Sequence, residues 1–162
     1  MAAVDYFLKI AGVDGESAHD KHKGEIDVES WSWGETRDAS PGGGAAGVGS
    51  GKVSMNDFTF TMKLNKASPK LFLACAAGEH IKSGWLTAQR AGDKSSDYFL
   101  KWSFTDLLIS SYLTGAGGGE APADSVSFSF GKIEVEYKEQ KPDGTFAASI
   151  KAGWDQTKNV KI

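Results

Sequence analysis

Asp124-Ser125-Val126-Ser127-Phe128-Ser129-Phe130-Gly131-Lys132-Ile133-Glu134-Val135-Glu136-Tyr137-Lys138 decides the fold class. Val126, Phe128 and Phe130 alternate with Ser125, Ser127 and Ser129. Successive side chains of a strand point to opposite faces, so this run predicts one apolar and one hydroxyl-bearing face. At Gly131 the phase flips, and Ile133, Val135 and Tyr137 then alternate with Lys132, Glu134, Glu136 and Lys138. A glycine at such a flip marks a bulge or a barrel corner.

The same two-residue period extends in both directions. Downstream, Pro142-Asp143-Gly144 reads as a turn and Thr145 to Trp154 as a returning strand. Upstream, Tyr98, Leu100, Trp102 and Phe104 alternate, and the pattern is lost at Leu107, Leu108 and Ile109, where the strand kinks or is covered on both faces. Trp85 to Arg90 predicts a short strand, and Lys52 to Leu64 a longer one. In the latter, Val53 and Met55 keep one phase while Phe58, Phe60, Met62 and Leu64 keep the other, which places a bulge at Asn56-Asp57. Glu25 to Glu35 puts Trp31 and Trp33 on one face and Ser30 and Ser32 on the other. Val4, Tyr6, Leu8 and Ile10 predict the opening strand, followed by a polar loop over Gly12 to Gly24. One helix stands out at about 69–77, with Ser68 as its expected N-cap, Pro69 at its first position and Gly78 as its stop. The sum is an all-β chain with one short helix, as a small closed β-barrel or two packed antiparallel sheets, in a single domain over 1–162.

A chain of 162 residues buries roughly 70% of the surface it exposes when unfolded, enough for a core without disulfides or metal. Cys75 is the only cysteine, so no internal disulfide forms. The net charge of −3 and the lack of a Lys/Arg run speak against nucleic acid. The opening residues have no basic region, and Asp5 and Lys9 interrupt their apolar run, so neither a signal peptide nor a membrane span is expected. Of the 20 glycines, many fall in Gly42 to Gly51 and Gly115 to Gly119, which makes the excess a property of loops. The loop Thr36 to Gly51 is 16 residues long. Loops of that length in compact domains are usually functional, and this one is expected to order against a neighbouring subunit.

Chemical motifs are weak. Gly42-Gly43-Gly44-Ala45-Ala46-Gly47 matches G-x-G-x-x-G in form, but a strand follows where a dinucleotide site needs a helix. Gly51-Lys52 is followed by Val53 where a P-loop needs Ser or Thr. His19 and His22 lie in a polar loop and read as solvated; with His80 they make too few convergent ligands for a metal. Cys75 sits in an apolar helix and reads as a buried, inert thiol. Trp31, Trp33, Trp85, Trp102 and Trp154 offer a rival reading, a carbohydrate-binding β-sandwich, although core packing is the default for such residues. A small hydrolase has no specific support.

Several pieces occur together in a familiar order. They are Asp5-Tyr6-Phe7-Leu8-Lys9-Ile10 with Gly12 and Gly15-Glu16-Ser17, then Glu25-Ile26-Asp27-Val28 running into Trp31-Ser32-Trp33-Gly34 and a glycine-rich loop. Asn65-Lys66-Ala67-Ser68-Pro69-Lys70-Leu71, Ala74-Cys75-Ala76-Ala77-Gly78-Glu79-His80 and the ending Trp154-Asp155 with Asn159 follow. The ordered set spans nearly the whole chain and resembles the Hcp family (haemolysin-coregulated protein), the tube subunit of bacterial type VI secretion. The resemblance implies a β-barrel with one flanking helix, similar to phage tail-tube proteins. It implies a homohexamer whose rings stack into a tube, with sheath and spike components as partners and effector proteins in the lumen. It implies no enzymatic activity, no cofactor and no membrane insertion. It also implies a protein that is cytoplasmic before assembly and then secreted without a cleavable signal peptide. On this reading Arg37, Asp38, Pro41, Gly43, Gly47, Gly49 and Lys52 are the expected subunit-interface residues of the loop, and Ser30, Ser32, Thr59 and Thr61 the expected lumen-facing residues.

Overall fold

A computed structural model describes residues 3–37, 52–91 and 97–162. In chain order the elements are β1 (Val4–Ile10), β2 (Ile26–Val28), β3 (Ser30–Ser32), β4 (Glu35–Thr36), β5 (Ser54–Met55), β6 (Phe58–Lys63), α1 (Ala67–Ala77), β7 (His80–Arg90), β8 (Leu100–Gly115), β9 (Ala123–Tyr137), β10 (Ile150–Asp155) and β11 (Val160–Lys161). The described residues are all-β with one helix.

The main sheet runs β11-β10-β9-β8-β7-β1-β2, and β6 bridges β9 to β3. Each pairing is antiparallel. The β2 end of this path meets the β6–β3 branch because the chain passes directly from β2 into β3. At the seam Glu29 donates its N–H to Thr61 O at 2.9 Å. The sheet therefore curls back on itself without closing as the expected barrel, because β2 pairs with β1 while β3 pairs with β6. The ribbon β4–β5 stands apart as its own small sheet.

The core fills the inside of the curl. Phe58, Phe60, Phe104 and Phe128 are fully buried. The rings of Phe58, Phe104 and Phe128 lie 4.9 to 5.1 Å apart, tilted or offset as aromatic quadrupoles prefer. Trp31 stacks on Phe58 at 5.8 Å, and Trp33 meets Trp102 edge-on at 5.2 Å.

The phase flip at Gly131 has a partner. On β8 the buried positions are Phe104, then Leu107 and Ile109, so that strand changes phase at Asp106, whose φ is 56°. The register pairs Thr105 with Lys132 and Leu107 with Phe130, which sets Asp106 opposite Gly131. Both strands thus exchange inside for outside at one level and keep their pairing. A Cβ on Gly131 would lie 3.3 Å from Asp106 Cβ, so the crossing is tight enough to favour glycine.

Several local expectations change, among them the strand Glu25 to Glu35, which divides into β2, β3 and β4 with different partners. Lys52–Leu64 is not one bulged strand; it breaks at Asn56-Asp57 into β5 and β6, which belong to different sheets, and Asn56 donates its N–H to Gly34 O at 2.8 Å. Leu64 keeps the apolar phase by count but is 52% exposed, because β6 ends at Lys63. The strand placed at Trp85 begins at His80, directly after the helix. The helix starts at Ala67 with Lys66 as N-cap, so Ser68 lies inside its first turn. Asn65 Oδ1 instead accepts the Ala67 N–H at 2.8 Å, and Glu16 accepts the Lys66 N–H at 2.7 Å. Ser68 donates to Asp124 at 2.6 Å, fastening the helix to β9. The C-terminal expectation holds: Gly78 has φ 64°, and Glu79 donates to Ala74 O at 3.1 Å.

Candidate functional surface

The outward face of three adjacent strands carries hydroxyl groups. Ser30 and Ser32 on β3 pair with Thr61 and Thr59 on β6, and these pair with Ser125 and Ser127 on β9. Ser111 on β8 lies opposite Ser127. Two of the direct cross-strand pairs are bonded, Ser30 to Thr61 at 2.6 Å and Thr59 to Ser127 at 2.8 Å. Ser30 and Ser32 are exposed; Thr59, Thr61, Ser125 and Ser127 are half-buried. The strand period explains the layout: Trp31, Phe58, Phe60, Val126 and Phe128 take the opposite side and pack in the core. Four residues expected to share a function from sequence thus share one continuous patch, and Ser111 joins it without having been expected, since the bulge between Ile109 and Ser111 disguises its phase.

Beyond Gly131 the outward face becomes charged. Lys101, Lys132, Glu134, Glu136 and Lys151 line it, and Lys151 reaches Glu136 at 3.7 Å. Tyr98 donates its hydroxyl to Glu136 at 2.7 Å. That bond, with burial and the negative charge added, pushes the Tyr98 hydroxyl up to about 12 and, from the other side, holds the Glu136 carboxyl below its usual range. Burial pushes the Asp97 carboxyl up, but the Lys138 ammonium at 3.0 Å and the Tyr98 N–H outweigh it and leave Asp97 lowered.

Of the expected interface residues, Arg37 and Lys52 are described and exposed, at the ends of the β4–β5 ribbon. Asp38, Pro41, Gly43, Gly47 and Gly49 lie outside the described residues. At the foot of the ribbon is a cleft of about 510 Å³, lined by Trp33, Met55, Trp102, Ile133 and Trp154, with Arg37 at its rim.

Trp31, Trp33, Trp102 and Trp154 pack against the core, and Trp85 lies under the Lys101 ammonium at 4.9 Å. His22 corrects the expectation of a solvated histidine: it is 7% exposed and stacked on Phe7 at 4.2 Å. Cys75 is half-buried on the helix, less covered than expected. Among the described residues no three His, Cys, Asp or Glu side chains converge as metal ligands, and no helix is long and apolar enough to cross a membrane.

Comparison with known proteins agrees along the whole chain. The family model described as "Type VI secretion system effector, Hcp" matches residues 7–137. Protein hcp1 of Pseudomonas aeruginosa is 38% identical over 161 residues, which cover 98% of this chain and 99% of that one. Among solved structures, Hcp1 from Salmonella typhimurium superposes with a TM-score of 0.83 at 35% identity, covering 100% of both chains. A structure titled as a type six secretion system protein reaches a TM-score of 0.89 at 33% identity, covering 99% of this chain and 100% of that one.

Proposed function

This chain belongs to the Hcp family of type VI secretion, and from that premise we propose that it closes into six-membered rings whose lumen is walled by the hydroxyl face of β3, β6 and β9. Its role in type VI secretion as a structural, secreted protein comes with the family. The ring number, the stacking of rings into a tube within a sheath and behind a spike, and the carriage of effectors are the finer reading. So are the single-domain organisation, the absence of catalysis and the cytoplasmic stage before export.

One observation carries the assignment of the wall: Ser30, Ser32, Thr59 and Thr61 lie side by side, uncharged and small, outside the aromatic core. A conduit for varied cargo needs a surface that binds weakly. The charged face beyond Gly131 suits solvent or a specific partner better. Closed rings with head-to-tail interfaces follow from cyclic symmetry. Arg37 and Lys52 mark where the glycine-rich arm leaves and rejoins the fold. We assign that arm, with Asp38, Pro41, Gly43, Gly47 and Gly49, to contacts between subunits.

Ser32→Gln tests the wall. Rings seen by native mass spectrometry and negative-stain microscopy should be unchanged, while stabilisation and export of a lumen-dependent effector should fall. Unchanged effector handling overturns the lumen assignment. Deleting 42–49 should leave the fold intact by circular dichroism and weaken ring formation or stacking. A deletion variant that assembles like the parent overturns the arm.

A further inference from the structure

The core is closed at one end of the curl and open at the other. On the inward side of β9, Ile133 is 3% exposed, Val135 half-buried and Tyr137 46% exposed. On β10, Trp154 is half-buried, Ala152 exposed and Ile150 70% exposed. The register sets Trp154 beside Ile133, Ala152 beside Val135 and Ile150 beside Tyr137. Residues two apart share a face, so these six form one uncharged stripe that leaves the core and runs into the open. Glu134, Glu136 and Lys151 stand on the other face. The cleft of about 510 Å³ at the foot of the β4–β5 ribbon lies over the inner part of the stripe. That volume falls within the range of ligand sites.

Two observations say what this end of the fold lacks. Trp102 and Trp154 line the cleft, and their indole Nε1 atoms are sealed from solvent with no hydrogen-bond partner among the described residues. An indole can only donate, and a buried one ordinarily finds an acceptor. The second lack is in the main chain. β11 pairs only with Trp154 and Asp155, and Ile162 donates its N–H to Gly153 O, so among the described residues no strand lies on the outer edge of β10 from Ile150 to Ala152. Acceptors for the indoles and a neighbour for the edge are both supplied by an extended backbone, which is how peptides add to open sheets. The wall over the indoles is thin. The β4–β5 ribbon is two residue pairs long, extended only by the Asn56 N–H on Gly34 O, and a two-stranded ribbon of that length is held weakly.

We propose that the cleft and the adjoining β10 edge bind an extended segment of another protein, about five residues long, uncharged and apolar on alternate residues. One end of the segment pairs with the edge from Ile150 to Ala152 and sets its apolar side chains on the stripe. The other end enters the cleft as the ribbon shifts aside, and its carbonyls accept from the Trp102 and Trp154 indoles. Glu35 and Arg37 at the rim carry opposite charges and so favour a segment without net charge. A small apolar molecule would fill the cleft and leave the edge unpaired. The site lies on the inward side of β9 and β10, away from the hydroxyl face, and does not depend on the lumen assignment.

The test is a titration of the full chain, in its assembled state and labelled with ¹⁵N-tryptophan, by a capped octapeptide that alternates valine with serine. Indole N–H signals are read by NMR and assigned with Trp102→Phe and Trp154→Phe. The Trp102 and Trp154 signals should move downfield and exchange more slowly as the peptide saturates, while those of Trp31 and Trp85 stay in place. Ala152→Arg, at an exposed position of the stripe, should weaken binding by about tenfold or more, and Ala152→Ser should not. A peptide of the same length alternating glutamate with serine should not bind. The proposal is overturned if the two indoles do not respond, if Ala152→Arg binds like the parent, or if a single capped valine gives the same shifts. It is also overturned if both indoles are already hydrogen-bonded before peptide is added, because a neighbouring subunit then fills the cleft. Should Ala152→Arg fail to fold, the glutamate peptide decides: equal binding of both peptides to the parent overturns the site.

Discussion

The strand β9 has two halves that differ on one side only. Inward, both are apolar: Val126, Phe128 and Phe130 before Gly131, Ile133 and Val135 after it. Outward, the first half shows Ser125, Ser127 and Ser129, and the second Lys132, Glu134 and Glu136. Folding needs the inner side alone, since burial of apolar surface drives it. The outer side is free to differ, and it divides at Asp106–Gly131, where both hairpin strands change phase. Function is to be sought in that outer difference.

Removing the shared core should erase the difference by unfolding both halves. Phe128→Ala should lower unfolding free energy by about 3–5 kcal/mol, measured by urea titration, because three aromatic rings lose their common neighbour. Blocking the crossing is next in size. Gly131→Val should cost about 1–3 kcal/mol through its clash with Asp106. A smaller loss confined to the crossing would show that β8 can shift there.

Titration on the acid side separates the halves without mutation. The Glu136 carboxyl is held low chiefly by the Tyr98 hydroxyl, so its contribution is present above the unfolded carboxylate value and is lost as pH falls through the lower folded value. The Tyr98 hydroxyl is raised, so its share is present below the unfolded tyrosine value and is lost as pH rises towards about 12. Thermal melts at acid and alkaline extremes should show both losses, and Tyr98→Phe should reduce both, since it removes the raised hydroxyl and the donor to Glu136 while Tyr112 keeps its own alkaline loss. The serine half carries one raised group, the Tyr112 hydroxyl, pushed up by burial and by its hydrogen bond to Asp124. The smallest effect belongs to it: Ser30→Ala should change stability by less than about 0.5 kcal/mol, since its partner Thr61 can turn to water.

Alternation made much of this legible. The run 124–138 disclosed its strand, its flip and its serine face because both sides of the strand are chemically distinct. The opening strand Val4–Ile10 read out for the same reason. Asp106 did not, since a flip hidden in Leu107-Leu108-Ile109 has no polar beat to betray it. The break at Asn56-Asp57 looked like a bulge because phase alone does not say which sheet each side joins. Ser68 looked like a cap until Asp124, 56 positions away, claimed its hydroxyl. His22 was read as solvated because nothing local announces that Gln89, 67 positions on, will cover it. Contacts of long sequence separation leave no periodic trace.

The bonded pairs Ser30–Thr61 and Thr59–Ser127 bear on friction. A hydroxyl already engaged with its neighbour across the strands has less unmet demand for a passing molecule. On the proposed lumen assignment, a chain drawn along this surface would trade water contacts for few strong new ones and meet few sticking points along its path. Lubrication of that proposed kind would need no moving part; it would be set when β3 and β9 take their places on either side of β6.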